Sequence, residues 1–219
     1  MNWLFVITDT PRPVTHGTWL RVYHLGRALH AQGERVGVLS YQAAPAEAAA
    51  YGAVGVELGL GPATYPPPAG RPGQPGWPYP FDPVFAEQVR RRSAQFDAVI
   101  LVRASALQYA PYASAAVYLV ADFVDDPILP ELRKMRRDWH PLRQLRRLKF
   151  LAEERRYERA LLPAVDLAVC ITEQDAACLA RRSAGWNVRV VPNGVDADFF
   201  APPSPPAESG PARVTFLGN

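Results

Sequence analysis

The sequence has little cysteine and no long apolar run. Its 219 residues include two cysteines, Cys170 and Cys178, which are too few for a disulfide framework. We expect Cys170, inside an apolar run, to be a buried thiol. No apolar run reaches the ~20 residues that a membrane-spanning helix needs, and the N-terminus lacks the basic region and cleavage site of a signal peptide. These absences favour a cytoplasmic protein.

Two nucleotide-binding motifs are also missing. Neither G-x-G-x-x-G nor G-x-x-x-x-G-K-[ST] occurs in the chain, so neither a dinucleotide-binding nor a P-loop protein has motif support. No histidine lies near the main acidic segment, residues 122–126, and Pro127 limits how its three carboxylates could converge on a cation. We therefore expect no bound metal and no cofactor.

The composition that is present favours a folded globular protein, because 48% of the residues are hydrophobic and both signs of charge occur. The net charge of +3 is unevenly placed. Residues 131–159 contain 11 Lys/Arg against 5 Asp/Glu, so the basic character is one local region.

Strand-like and helix-like patterns alternate along the chain. We predict strands at 3–8, 35–41, 54–58, 97–102, 116–121, 167–172 and 188–191. Helices are predicted from residue 17 to about 33, then at 43–51, 84–95, 132–162 (interrupted at Pro141) and 173–183, with a turn at 109–115. Continuous Val/Ile/Leu strands separated by helices indicate a doubly wound parallel α/β sheet, a Rossmann-like single domain.

Proline punctuates this pattern twice. Residues 62–83 contain nine prolines, which indicates an exposed excursion that is a spacer, a lid or a polyproline motif. The domain is predicted to end near residue 200, followed by a proline-rich linker at 201–212. Residues 213–219 then begin a strand-like run, which we interpret as the first strand of a second domain whose remainder is missing. A function that needs both domains could not be completed by this chain.

Ligands of such sheets bind outside the carboxyl ends of the strands, where this sequence offers four candidate segments. In the loop 9–18, Gly17 opens a helix and either allows amides to approach an anion or only starts that helix. In segment 122–126, three carboxylates could act as a base, orient hydroxyls, bind a cation or only cap the next helix. Thr172-Glu173 could contact substrate, or Thr172 could cap a helix with Asp175. Pro192-Asn-Gly-Val-Asp196 is a tight turn.

Together these segments resemble the N-terminal, acceptor-side domain of a two-domain GT-B glycosyltransferase of the retaining family 4 kind. The opening carries Leu25-Gly-Arg-Ala-Leu29 and Gln32-Gly-Glu-Arg-Val-Gly-Val38, and Val169-Cys-Ile-Thr-Glu-Gln-Asp-Ala176 is similar to the penultimate strand and helix. The most specific signature is Val190-Val-Pro-Asn-Gly-Val-Asp196 followed by Phe199-Phe200.

The acidic segment narrows the resemblance further. Asp122-Phe-Val-Asp125, followed by an Arg-rich helical stretch, is similar to a bacterial subgroup of sugar transferases in exopolysaccharide synthesis. Asp122 occupies the place where many relatives have a histidine, and His16-Gly17 stands where a Gly-Gly pair is common. These departures weaken the inferred anion contact at Gly17 and leave Asp122 either a chemical or an orienting role.

The resemblance implies a set of site residues. Asp122 would be catalytic, and Pro192, Asn193 and Gly194 would form the hinge between domains. Seven residues would bind substrate or the leaving diphosphate: Gly17, Thr18, Arg21, Arg103, Asp125, Thr172 and Glu173. Arg21 and Arg103 could instead be ordinary surface arginines.

The resemblance also implies the activity and the partners. The complete enzyme would move a sugar from a nucleotide-sugar donor to a glycan or lipid-linked acceptor in cell-surface polysaccharide synthesis. The donor site would belong to the missing C-terminal domain, so we expect this chain alone to be inactive. The alternative is a non-catalytic module that binds a glycan or a membrane surface.

The basic region 131–159 leaves its own alternatives open. It is either a solvated helix face or an interfacial helix on anionic lipid, with Trp139, Leu142, Leu145 and Leu148 as its apolar side. The second alternative would place the protein on the inner face of the cell membrane. Nucleic acid is not expected as a partner, because no recognised motif accompanies the charge.

Overall fold

The computed structural model describes residues 1–9, 17–41, 45–58, 77–182 and 185–194. They form a seven-stranded sheet in the order β3-β2-β1-β4-β5-β6-β7, and all its strand pairs are parallel. The strands are β1 (Asn2–Ile7), β2 (Arg35–Leu39), β3 (Val56–Leu58), β4 (Ala98–Val102), β5 (Tyr118–Asp122), β6 (Leu167–Cys170) and β7 (Val188–Val190). Each predicted strand is present, and its ends lie within two residues of the predicted ones.

Within the described ranges, six helices lie between these strands: α1 (Gly17–Ala31), α2 (Pro45–Gly52), α3 (Pro83–Ser93), α4 (Ile128–Arg137), α5 (Pro141–Leu161) and α6 (Glu173–Arg182). The predicted break at Pro141 is confirmed, because this proline begins α5 and its fixed φ suits a first helical turn. The predicted turn at 109–115 is wrong in part, since its first half belongs to a 3₁₀ segment, Ala104–Tyr112. A second, short 3₁₀ segment is Leu162–Ala164.

The alternation of side chains along β1 divides the core into two layers. Leu4 and Val6 join the cluster built with α3, α5 and α6, whereas Phe5 and Ile7 pack with residues of α1 and α2. Successive side chains of a strand point to opposite faces, so both faces of the sheet are covered by helices. The predicted doubly wound, Rossmann-like α/β fold is therefore confirmed.

Two glycines fix how α1 meets the sheet. A Cβ at Gly26 would lie 2.9 Å from Val56 Cγ2, so only glycine lets the helix approach β3 this closely. Gly33 has φ of +83°, a conformation that suits glycine just past a helix end, and it turns the chain into β2.

Some predictions fall on residues outside those described. They include most of the proline-rich segment 62–83, the loop residues 10–16, and everything after residue 194. The domain end near 200, the linker 201–212 and the strand at 213–219 therefore stay predictions. Within the described part of the chain, Cys170 and Cys178 are buried and unpaired, and no helix is long and apolar enough to cross a membrane.

Candidate acceptor cavity and its surroundings

An open cavity of about 540 Å³ lies at the carboxyl ends of the central strands. Its wall contains residues that follow β1, β4 and β5, at the point where the strand order reverses between β1 and β4. Ligands of doubly wound sheets bind at this switch point, and the volume lies within the ~300–1,000 Å³ usual for ligand pockets. The polar side chains in its wall are those of Thr8, Asp9, Thr18, Tyr41, Tyr79, Arg103, Ser105, Gln108, Tyr109, Asp125 and Asp126.

Backbone strain marks two points of this wall. Among the described residues, Arg103 (φ 71°) and Val124 (φ 60°) are the non-glycine residues with positive φ, and both line the cavity. Such a conformation costs roughly 1–3 kcal/mol per residue and persists where surrounding contacts impose it. Here the N–H of Arg103 donates to the carbonyl of Asp122 (2.7 Å), and the N–H of Val124 donates to Asp122 Oδ1 (3.1 Å). The two loops are thus held in shape around Asp122.

Asp122 is buried and already bound to a cation. Its Oδ2 accepts a hydrogen bond from Nε of Arg21 at 2.8 Å, and the two side chains are 5% and 3% exposed. Arg21 Nη1 also donates to Asn193 Oδ1 (3.0 Å) and, at 3.4 Å, to the carbonyl of Pro192. Neither Asp122 nor Arg21 belongs to the cavity wall. The alternative that Arg21 is a surface arginine is therefore wrong: it joins α1, the end of β5 and the chain after β7.

The carboxylates that do line the cavity have different partners. Asp125 is exposed, and no hydrogen bond or ion pair joins it to another described residue. Asp126 is buried, caps the start of α4 and pairs with Arg182 Nη1 at 2.6 Å. Asp9 accepts from Arg103 Nη1 at 3.3 Å. Asp125 is therefore the carboxylate of the wall that is open to a ligand, whereas capping accounts for Asp126.

Behind Asp126 lies a group of buried acids that the sequence analysis missed. Arg182 binds both Glu158 (2.7 Å) and Asp126, but no described cation pairs with Glu154, whose carboxylate lies beside the Tyr79 hydroxyl. Burial, and then the charge of Glu158, raises the pKa of Glu154 to about 8. The one sequence signal was the i, i+4 spacing of Glu154 and Glu158 on an otherwise basic helix, which places both on one face.

Aromatic side chains of the wall were also missed. Tyr41 and Tyr109 are almost fully buried, and each hydroxyl is bound to Asp82: Tyr41 donates to its carboxylate, and Tyr109 accepts from its N–H. Tyr79 is half-buried and packs edge-on against Tyr157, with ring centroids 5.3 Å apart. The density of aromatic residues at 77–85 was a signal for this wall.

The remaining predicted site residues lie in three different settings. Thr18, in the first turn of α1, lines the cavity, while Gly17 is exposed at the helix start. Thr172 accepts a hydrogen bond from the N–H of Asp175 at 3.1 Å, so the capping interpretation is correct for this residue. Thr172 and Glu173 are exposed and outside the cavity wall, and their substrate roles stay predictions.

In the described ranges, no three His, Cys, Asp or Glu side chains are grouped to hold a metal ion.

A separate apolar surface lies on the hairpin of α4 and α5. Trp139 is 86% exposed, Leu142 66%, Leu145 65% and Leu148 52%. We call these four side chains the apolar stripe. In the interfacial-helix alternative of the sequence analysis, they form the apolar side. α4 begins directly after the cavity-lining segment 123–127, and its third residue, Pro130, still lines the cavity. The stripe begins at Trp139, just beyond the other end of this helix.

Comparison with known proteins assigns the family. The model of glycosyltransferase family 4 matches residues 15–199. No curated protein matches the chain at a significant level. The solved structure described as the glycotransferase of kitacinnamycin aligns with 98% of this chain at 13% identity and a TM-score of 0.45. This chain covers 55% of that structure's chain, so it spans about half its length. Because the family model covers most of its residues, the chain belongs to glycosyltransferase family 4.

Proposed function

We propose that this chain is the acceptor-binding half of a retaining glycosyltransferase that moves a sugar from a nucleotide-sugar donor to a glycan or lipid-linked acceptor. The pathway would be cell-surface polysaccharide synthesis, as in the bacterial exopolysaccharide subgroup. The observation that carries the proposal is the cavity at the switch point of a family 4 chain. The donor would bind on a second, C-terminal domain, and the chain alone would be inactive.

Sugar transfer requires the acceptor hydroxyl to be held against the anomeric carbon of the donor, while amides and cations stabilise the leaving diphosphate. In our proposal, Asp125 and Thr18 position the acceptor, because both line the cavity. Arg103 and the amides at Gly17 face the diphosphate once the second domain closes over the cavity. No metal or other cofactor is included in this scheme.

Asp122 stays in the proposal with the orienting role. Its carboxylate is bound by Arg21 and by the N–H of Val124, which leaves it poorly placed to touch a substrate. It would act through the loops that it holds, one carrying Arg103 and the other Asp125. Arg21 would also connect this centre to the hinge residues Pro192, Asn193 and Gly194, since it contacts the first two.

Extension of the chain tests the proposal. The coding sequence after Asn219 should continue in frame, with a Gly-rich helix start and a Glu-x7-Glu pattern. The extended protein should transfer labelled hexose from a panel of UDP- and GDP-sugars to a glycolipid extract, whereas the 219-residue chain should not. A stop codon at position 220, or an extended protein that binds glycan without transfer, would favour the non-catalytic module.

The apolar stripe supports a second proposal, that this protein binds an anionic membrane surface. Three of its leucines recur at i, i+3 and i+6 on α5, and the neighbouring Arg143 and Lys149 are 65% and 75% exposed. Apolar side chains flanked by cations are typical of helices that lie in the headgroup region of anionic bilayers.

Vesicle sedimentation tests this second proposal. The chain should sediment with vesicles of phosphatidylcholine and phosphatidylglycerol, and less as salt is raised. Leu142→Ser/Leu145→Ser should lose most of this binding. Val84→Ser is the matched control, because Val84 is 48% exposed on α3, outside the basic region. Equal binding by all three proteins would exclude the stripe as the membrane-binding face.

A further inference from the structure

We propose that the cavity selects an acceptor whose reacting end is an uncharged, hydroxyl-bearing ring held by Asp125, and rejects one that carries a carboxylate or phosphate at that end. The inference rests on the proposed function, since it names the substrate class of the same cavity. It goes beyond that function because neither the family nor the position of the cavity fixes the charge of the acceptor.

The charged side chains in the described part of the wall disfavour an anionic acceptor. Three carboxylates, those of Asp9, Asp125 and Asp126, face the cavity together with one guanidinium, that of Arg103. Asp126 pairs with Arg182, which it shares with Glu158, and Asp9 pairs with Arg103. The carboxylate without a pairing cation is that of Asp125, whose negative charge would repel an anionic group beside it.

The two arginines that the sequence offered for an anion are both engaged. Arg21 is buried and bound to Asp122 and Asn193, so it cannot reach the cavity without breaking a buried ion pair. Arg103 is half exposed, pairs with Asp9 and, in the proposed function, faces the donor diphosphate. Among the described residues, neither arginine is therefore left to neutralise an acidic acceptor.

The position of Asp125 suits a hydroxyl donor. A carboxylate accepts hydrogen bonds and cannot donate them when ionised, so it can bind the hydroxyl groups of a sugar. The strained turn at Val124, fixed by Asp122 Oδ1, directs the chain so that Asp125 is exposed at the wall.

Tyr79 supplies an apolar face in the same wall. Its ring is held edge-on by Tyr157 and is half-buried. The C–H face of a sugar ring can pack on such a surface while its hydroxyls reach Asp125. The wall thus places an exposed carboxylate and an aromatic ring in one cavity, and these two groups can contact the hydroxyls and the C–H face of a sugar ring.

Saccharide binding by the 219-residue chain tests the inference. Saturation-transfer NMR and titration would compare the methyl glycosides of glucose, galactose and mannose with those of the matching uronic acids, which differ only by a carboxylate at C6. At least one neutral glycoside should bind, and its uronate should bind at least tenfold more weakly.

Variants then isolate the role of Asp125. Asp125→Asn should weaken binding of the neutral glycoside about tenfold, as expected when one charge-assisted hydrogen bond is lost. It should also reduce the difference in affinity between the neutral glycoside and its uronate. Glu57→Gln is the control, since this half-exposed carboxylate of β3 lies outside the cavity, and it should change neither value. Thermal unfolding of each variant would confirm that it is folded.

Three results would overturn the inference, and they differ in whether they also count against the proposed function. A uronate that binds as tightly as its neutral partner would refute the selection against charge while leaving acceptor binding, and hence the proposed function, in place. Unchanged binding by Asp125→Asn would refute the role of that residue. Failure of all neutral and acidic glycosides to bind would count against both the inference and the proposed function.

Discussion

Asp122 and Asp125 lie three residues apart at the end of the same strand, yet the fold gives them opposite surroundings. Asp122 is buried and bound to Arg21, whereas Asp125 is exposed in the cavity wall with no described partner. The difference arises at Val124, whose positive φ turns the chain between them. One short acidic segment thus supplies both the internal support of the site and a surface that can meet a ligand.

This comparison shows how burial and pairing divide work among similar side chains. A buried carboxylate with a cation shapes the loops around it, and its removal leaves the cation uncompensated. An exposed carboxylate contributes little to stability and can be used for binding. The proposals above depend on this division, and the following experiments test it from the largest expected effect to the smallest.

The largest effect is expected from Asp122→Ala. The substitution leaves the Arg21 guanidinium buried without its partner, so the free energy of unfolding should fall by about 3–5 kcal/mol. Asp125→Ala should change it by less than about 0.5 kcal/mol, since it removes an exposed side chain. Urea unfolding followed by circular dichroism measures both values.

A double variant sharpens this test. In Arg21→Met/Asp122→Leu both charges are gone, and replacing a buried pair by apolar residues is often nearly neutral. It should therefore be more stable than Asp122→Ala. If Asp122→Ala and Asp125→Ala both lowered the free energy of unfolding by a similar small amount, the buried pair would not support the fold. The proposed difference between Asp122 and Asp125 would then be refuted.

Glu154 is the opposite case to Asp122, because it is a buried carboxylate without a cation of its own. Its pKa is raised from 4.5 to about 8, so the folded protein keeps this proton while the unfolded chain releases it. The folded state then binds more protons, and stability falls as pH rises from about 4.5 to about 8. The loss is about 1.4 kcal/mol per pH unit, or roughly 3 kcal/mol between pH 5 and pH 7.

Glu154→Gln should remove this slope, because glutamine stays neutral at every pH. The measurement is the difference in unfolding free energy between wild type and variant at pH 5, 6, 7 and 8. Glu153→Gln is the control, since that neighbour is partly exposed and pairs with Lys149, and it should keep the wild-type slope. A parallel pH dependence in Glu154→Gln would contradict the buried, protonated state.

Most of the fold could be predicted from the sequence, because each strand is a short run of apolar residues bounded by helix or turn signals. β5 illustrates this, since the apolar run before Asp122 predicted this strand to within two residues. The break at Pro141 was equally predictable, as proline belongs in a first helical turn. Such signals are local, so they can be recognised without knowledge of the tertiary structure.

The site could be predicted only in part, because its division of roles depends on contacts distant in the chain. Asp122 pairs with Arg21, which lies 101 residues away in the chain, and no local sequence pattern near either residue predicts this ion pair. The same holds for Asp126 and Arg182, which are 56 residues apart. The sequence therefore located the acidic segment but could not separate Asp122 from Asp125.

A smaller effect, about 1 kcal/mol, is expected at Arg103. Its φ of 71° and ψ of 156° form a combination that glycine alone adopts easily. Arg103→Gly should raise the unfolding free energy by about 1 kcal/mol, because strain relief outweighs the flexibility that glycine adds to the unfolded chain. Arg103→Ala keeps the strain and should not stabilise. Equal effects of the two variants on thermal unfolding would show that strain at the cavity wall is not being relieved.

The smallest effect is expected at Asn193, which joins the buried pair to the predicted hinge. Asn193→Ala removes one hydrogen bond to Arg21, but the guanidinium keeps its bonds to Asp122 and to the carbonyl of Pro192. Because the charge stays paired, the loss should be about 0.5–1 kcal/mol, well below that of Asp122→Ala. Urea unfolding of both variants measures this ratio. If Asn193→Ala cost as much as Asp122→Ala, the segment after β7 would belong to the structural core, and the buried pair would be one part of a larger network.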